Sequence, residues 1–365
     1  MISRRHFLRT AGALTAGVLT AGCQPGMLWQ TPQPLPTTEV ATPSRPRVAL
    51  AYAADYDRAL IRQQVRALLD GLGGLKGVIS TGDRVALKVN LTAGVDVKPL
   101  PGVSPVESYV THPEVVRALG EAVREAGARE LFIVESVDAR TYRAWGYEDI
   151  ARELEATLID LNTPEPYEDF TSTPVGDGWF TYESFVFNPI LEDVDVFISI
   201  AKLKCHWSCG VTLAMKNLIG LVPYTHYRLS PEHKYRSALH GKGDEFKTRL
   251  PRVIMDLNRA RPIHFALIDG VKTTEAGEGP WIKTISPVEP GILVAGINPV
   301  ATDAVATATM GFDPTVEQPT PPFLRSDNHL NLARELGLGT NLLEEIEVVG
   351  ASIEDLRYEF EPCWT

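Results

Sequence analysis

Nine consecutive positions from Lys202 to Gly210 hold Lys202, Lys204, Cys205, His206, Ser208 and Cys209. Two ammonium groups beside an imidazole are suited to holding a small anion and moving a proton to or from it. The thiols and the imidazole are also metal-ligand types. Cys205 and Cys209, however, have C-x3-C spacing, which is neither the redox C-x2-C nor a recognised zinc knuckle. Groups of this kind are costly to bury without a task. The competing reading is a surface turn whose lysines are solvated and whose cysteines form a small structural bridge.

The elements around this stretch must position it. Val194 to Ile200 is apolar and β-branched and predicts a strand, while Thr212 to Leu221 has a helical pattern. In open α/β sheets ligands sit where strand ends meet helix starts, and a helix N-terminus there offers N–H groups to an anion. The rest of the chain repeats the alternation. Strands are predicted at Arg47–Tyr52, Asp83–Asn90, Glu130–Glu135 and Thr157–Asp160. Helices are predicted at Tyr56–Leu72, from a Thr111-x-x-Glu114 capping box to about Ala126, and at Tyr147–Glu155. Leu91 to Val110 is a Pro/Gly-bearing loop long enough for a lid or rim. Thr163 to Val186 reads as irregular, with Trp179, Phe180 and Tyr182 as packing. Tyr224 to Lys242 carries His226, His233 and His240. Further strands are expected at His264–Asp269, Gly291–Ala295 and Ile346–Val349, with helices at Phe246–Arg259, from Asn298 to before Gly311, and near Asn331–Leu336. The fold class predicted is α/β: a doubly wound, mostly parallel sheet in one large domain or two intimate lobes.

The first residues have another task. Met1 to Arg9 carries the pair Arg4-Arg5 followed by Phe7-Leu8, and an apolar small-residue run covers Ala11 to Ala21. This is the form of a twin-arginine export signal, too short to span a bilayer; an ordinary secretory signal is the alternative. Leu19-Thr-Ala-Gly-Cys23 is similar to a lipoprotein box with Cys23 as the lipidated residue, although the leucine sits one position early and Thr20 occupies its place. Gln24 to Pro46 is rich in Pro and Thr, cannot bury a core and reads as a tether. An extracytoplasmic or periplasmic location follows, with the membrane as a partner through Cys23. Loss of Arg4, Arg5 and Arg9 with the signal takes the formal charge from −11 to −14. So acidic a body argues against nucleic acid as a partner. An anionic ligand needs a local basic pocket, and Lys202, Lys204 and Lys216 supply the best one.

Several motifs in one order resemble the DUF362 family. They are Lys88-Val-Asn90, Ala201 to His206, Val211 to Gly220, Asp269-Gly270, Gly277-Glu-Gly-Pro280 and Asn298 to Ala304. The resemblance spans roughly Arg47 to Gly311 and implies an α/β body, often fused to a ferredoxin-type iron–sulfur module whose clustered cysteines this chain lacks. The family pattern falls on Lys88, Asn90, Lys204, His206, Thr212, Lys216, Asn217, Asp269, Gly279, Pro280 and Asp303. Ala276 stands where the family has an acid before Gly-x-Gly-Pro, with Glu275 displaced by one. Asn298 is an amide near which an acid is expected, and Cys205 and Cys209 lie outside the pattern.

In a parallel sheet Lys88/Asn90, Glu135/Ser136, Lys202/Lys204/His206 and Asp269 converge on one edge. Catalytic candidates are His206, Lys204 and Lys216, with His206 as a general base. Substrate-binding candidates are Lys88, Asn90, Thr212, Asn217, Asp269 and Asp303. His206, His240 and Asp303 are the metal-ligand candidates. The expectation is an exported enzyme acting on a small anionic substrate, with a divalent metal or redox cofactor as its candidate helper. The alternatives are a non-catalytic anion- or metal-binding lipoprotein, or an accessory to a separate iron–sulfur redox protein.

Overall fold

The computed structural model describes residues 45–92, 94–233 and 235–364. The export segment, Cys23 and the tether as far as residue 44 lie outside the described residues. The strands are β1 (Arg47–Tyr52), β2 (Arg84–Lys88), β3 (Glu130–Glu135), β4 (Thr157–Asp160), β5 (Thr171–Pro174), β6 (Ser184–Phe187), β7 (Val196–His206), β8 (Gly210–Thr212), β9 (Phe265–Glu275), β10 (Ser286–Val288), β11 (Ile292–Gly296) and β12 (Glu347–Gly350). Among the described residues one sheet of ten strands runs β12-β1-β11-β9-β7-β2-β3-β4, with β8 added to β7 and β10 to β9. From β4 through β3, β2 and β7 to β9 the strands run parallel. β11 opposes both of its neighbours.

Alternation along the strands builds two cores, as a sheet covered on both faces requires. In β1, Val48 and Leu50 join one core and Ala49 and Ala51 the other. The first core takes Leu250 and Ile254 from helix Phe246–Ala260 and Ala304 from helix Pro299–Thr309. The second takes Val65 and Leu68 from helix Arg58–Leu72 and Val115 and Leu119 from helix Pro113–Glu125. The arrangement is the doubly wound α/β layering expected, and residues Arg45–Thr365 form one compact unit.

The organising stretch departs from expectation. β7 does not end at Ile200 but continues to His206, because β8 folds back on it and pairs Lys204 with Thr212, Cys205 with Val211 and His206 with Gly210. Gly210, at φ +81°, takes the left-handed conformation that this tight reversal needs. No helix covers Thr212 to Leu221: Thr212 lies in the ladder and only Lys216–Leu221 coils, as a 3₁₀ turn. The apolar residues from Val211 to Leu221 pack into the core, so their spacing did not report a one-sided helix. The expected helix N-terminus is therefore absent, and Lys202 and Lys204 belong to a strand, not a turn.

Two smaller corrections follow. Helix Pro113–Glu125 is capped by His112, whose Nδ1 accepts from the Glu114 N–H, and not by Thr111. The Thr111 hydroxyl instead donates to the Ile200 carbonyl and accepts from the Asn90 N–H. The stretch taken as irregular contains the β5–β6 hairpin, and the buried Asp256 carboxylate accepts from the N–H groups of Phe180, Thr181 and Tyr182.

Candidate functional site

The carboxyl ends of β2, β3 and β7 carry a continuous polar network. Lys88 Nζ donates to the Val89 carbonyl (2.7 Å), Glu135 Oε2 (3.0 Å) and Asn217 Oδ1 (3.2 Å). Asn217 Oδ1 also accepts from Asn90 Nδ2, and Asn90 Oδ1 accepts from Lys204 Nζ at 3.1 Å. Lys204 completes its set on the carbonyls of Tyr109 (2.8 Å) and Glu278 (3.1 Å). An ammonium has three hydrogens. Lys88 and Lys204 have each spent all three on the protein itself.

Beside this chain, Lys202 Nζ lies 2.9 Å from Asp269 Oδ2 with both side chains at 0% exposure. Asp269 also accepts from the Tyr56 hydroxyl and from the N–H groups of His112 and Val271. This carboxylate pins three segments together. Burial lowers the pKa of Lys88 and of Lys202, opposed in each case by the partner acid. Lys204 touches no carboxylate; burial and then the Lys216 charge drive its pKa well below the ordinary value.

Lys216 differs from the other three. It is 8% exposed and makes no hydrogen bond or ion pair with any described residue. Its charge acts on His206, His240 and His329, all of which are also depressed by burial. His240 falls to about 4 and His329 to about 3, and His206 falls well below 6.5. All three imidazoles are therefore neutral near pH 7. His206 Nδ1 accepts from the Ser208 N–H at 3.1 Å, which leaves the hydrogen on Nε2. His240 Nδ1 faces the Arg236 carbonyl at 3.3 Å and must donate to it, leaving Nε2 as an acceptor. Both ring nitrogens of the fully buried His329 lack partners, as does the hydroxyl of Thr212, opposite Lys204 in the hairpin. Buried polar atoms without partners are uncommon and call for an explanation.

Other expected site residues turn out to hold the frame. Asp303 accepts from the N–H groups of Ala214 (2.8 Å) and Met215 (2.9 Å), fixing the turn that delivers Lys216 and Asn217. Among the described residues it does not combine with His206 and His240 into a ligand set. Among the described residues no three His, Cys, Asp or Glu side chains stand so as to hold a metal ion. His206 Nδ1 also faces a donor, which disfavours the tautomer that would ligate through Nε2. Its role as a general base meets the same objection. Cys205 and Cys209 are buried thiols and form no bridge. Burial pushes both up, Cys209 to about 12.

Lys88, Asn90, Lys204 and Asn217 are thus brought into direct contact, with Lys216 and His206 beside them. Asp269 and Asp303 stand behind them as anchors. The amide at Asn298 is explained locally: Oδ1 caps helix Pro299–Thr309 through the Ala301 N–H while Nδ2 donates to the Leu338 carbonyl, which no carboxylate can do. Glu275 instead accepts from the Glu361 N–H of the C-terminal segment. Sequence reading missed His329, Tyr109 and Tyr56. Each lies far along the chain from the lysine it neighbours and sits in no motif.

Residues 1–21 match the twin-arginine translocation pathway signal sequence, which directs the chain across the cytoplasmic membrane to the periplasm or extracytoplasmic side. Over 294 residues the chain is 27% identical to the thylakoid-associated protein sll1697 of Synechocystis sp., covering 78% of this chain and 79% of that one. A crystal structure of a Thermotoga maritima protein is similar at 12% identity and a TM-score of 0.36, covering 68% of this chain and 57% of that chain. The lactate racemase apoprotein of Thermoanaerobacterium thermosaccharolyticum is similar at 13% identity and a TM-score of 0.35, covering 67% and 54%. The chain thus spans less than two thirds of either solved chain, and both scores are too low to bear on function. Residues 85–308, which contain the polar network from Lys88 to Asp303, match the domain of unknown function DUF362, and this exported chain belongs to that family.

Proposed function

We propose that this exported protein binds a small anionic ligand among Lys216, His206, His240 and His329. The observation that carries the reading is an ammonium without a partner beside a buried imidazole whose two nitrogens also lack partners. A bound anion would give the Lys216 ammonium the partner it lacks among the described residues. Lys204, whose hydrogens are spent on the protein and whose pKa is driven well below the ordinary value, stands at one remove from this site. Lipidation at Cys23 would hold this site at the membrane surface.

A second reading, turnover of that anion, is favoured by one atom. His206 Nε2 carries the hydrogen of a neutral imidazole, so it can donate a hydrogen bond to negative charge that develops on a bound substrate while keeping its proton. The test of the first reading is thermal unfolding of the exported protein in phosphate, sulfate and acetate. At ~100 times its dissociation constant a binding anion adds about 2.7 kcal/mol. The gain should vanish in Lys216→Ala. If no anion raises the melting temperature of the wild type, the reading is wrong.

A further inference from the structure

Beyond Phe360, which is buried in the core, residues 361–364 run without regular structure across the ends of β7 and β9. The Glu361 N–H donates to Glu275 Oε2 at 3.0 Å. The Glu361 carbonyl accepts from the Ala276 N–H (2.9 Å) and from the Cys205 thiol (3.4 Å). Arg325 closes over the segment: Nη1 donates to the Cys363 carbonyl and Nη2 to the Trp364 carbonyl, both at 2.6 Å. Its guanidinium also lies 4.8 Å from the centroid of the Trp207 ring.

We infer that residues 361–364 are a strap that lifts while the rest of the chain stays folded, and that it gates the loop holding Lys204. The bonds to Glu275 and Trp364 are exposed to water, and segments held in this way open at low cost. The residue that the strap holds is strained. Ala276, at φ +54°, takes a left-handed conformation that a Cβ disfavours. From Ala276 the chain passes straight into Gly277-Glu-Gly-Pro280. There the Glu278 carbonyl accepts from Lys204 Nζ at 3.1 Å, and Glu278 Oε2 accepts from the Trp207 N–H at 3.0 Å. When the strap lifts, Ala276 relaxes and the Glu278 carbonyl withdraws. Lys204, whose three hydrogens are spent in the closed form, then has one to offer an anion. The Cys205 thiol loses its Glu361 partner in the same movement. The inference does not depend on the site at Lys216.

Two measurements on the full exported protein test this. In native buffer, a thiol reagent read by mass at each cysteine should label Cys205 at least ~10-fold faster in Arg325→Ala than in wild type. Cys209, which does not touch the strap through any described hydrogen bond, should stay unlabelled. An unchanged rate at Cys205, or Cys205 and Cys209 accelerating together, overturns the inference. Hydrogen exchange of the wild type decides the matter even if the Arg325 variant does not fold. The Glu361, Ala276 and Trp207 amides should exchange together, at least ~10-fold faster than the centre of β9. Exchange of Glu361 and Ala276 at the β9 rate would show that no separate strap opens. Trp207 remaining at the β9 rate while those two are fast would overturn the coupling to Lys204.

Discussion

Lys88 Nζ and Glu135 Oε2 lie 3.0 Å apart at the ends of adjacent parallel strands, with the lysine side chain at 0% exposure. Gly220 packs against both: a Cβ there would fall 2.4 Å from Glu135 Oε1 and 2.8 Å from Lys88 Nζ. A methyl group at that point must displace a buried ion pair that also holds Asn217. Gly220→Ala should therefore destabilise the fold by about 1–3 kcal/mol, read as a lower urea midpoint with an unchanged slope. Wild-type stability would show that the pair tolerates displacement.

Three of the four lysines should separate by assay. Lys204→Met leaves the carbonyls of Tyr109 and Glu278 and the Asn90 side chain without their donor. Each orphaned acceptor costs about 1–3 kcal/mol, so this variant should be markedly unstable. Lys202→Met, which strands the buried Asp269, should lose about 3–5 kcal/mol. Lys216→Ala should lose the least of the three in anion-free buffer, only the packing of its stem, since its ammonium bonds to no described residue. Chemical denaturation of the three variants side by side checks the order.

Asp303 gives a pH signature. Burial pushes its carboxyl up to about 7 from an ordinary 3.8, against the two backbone N–H bonds that pull it down. Between those pH values the folded state binds more protons than the unfolded chain, so this contribution falls as pH rises through 7. At ~1.4 kcal/mol for each factor of ten, the full effect is at most about 4 kcal/mol. His329 acts in the opposite sense. Its pKa of about 3 lies below the ordinary 6.5, so its contribution is present above pH 6.5 and lost as pH falls towards 3. Stability measured from pH 4 to 8 should decline less steeply in Asp303→Asn than in wild type. In His329→Gln the loss on going from pH 7 to pH 4 should shrink.

The thiols should be silent. With Cys209 pushed up to about 12, only about one molecule in 10⁵ carries the thiolate at pH 7. Cys205 is likewise raised by burial. A thiol-specific reagent should label Cys205 and Cys209 only after denaturant is added; rapid native labelling at either position would contradict the burial described.

Much of this frame was legible in the sequence because strand ends declare themselves. Arg47–Tyr52, Glu130–Glu135 and Thr157–Asp160 were bounded correctly, and Lys88, Asn90 and Lys204 were placed on one edge. Alternating burial and turn residues leave local traces there. The β7–β8 hairpin left none: Val211 to Leu218 is buried whichever way its side chains point, so the apolar spacing there does not distinguish strand from helix. The lysines also look alike in sequence. What separates them is a partner on another strand, Glu135 for Lys88 and Asp269 for Lys202, and the lack of one for Lys216. Pairing across the sheet sets that, and spacing along the chain does not.

Diffraction at the arsenic edge from crystals soaked in arsenate, a hydroxyl-bearing analogue of phosphate, tests the central claim most directly. The account predicts an anomalous peak placed so that arsenate oxygens accept hydrogen bonds from Lys216 Nζ and His206 Nε2. Full arsenate occupancy elsewhere on the protein, with no peak beside Lys216, would contradict it.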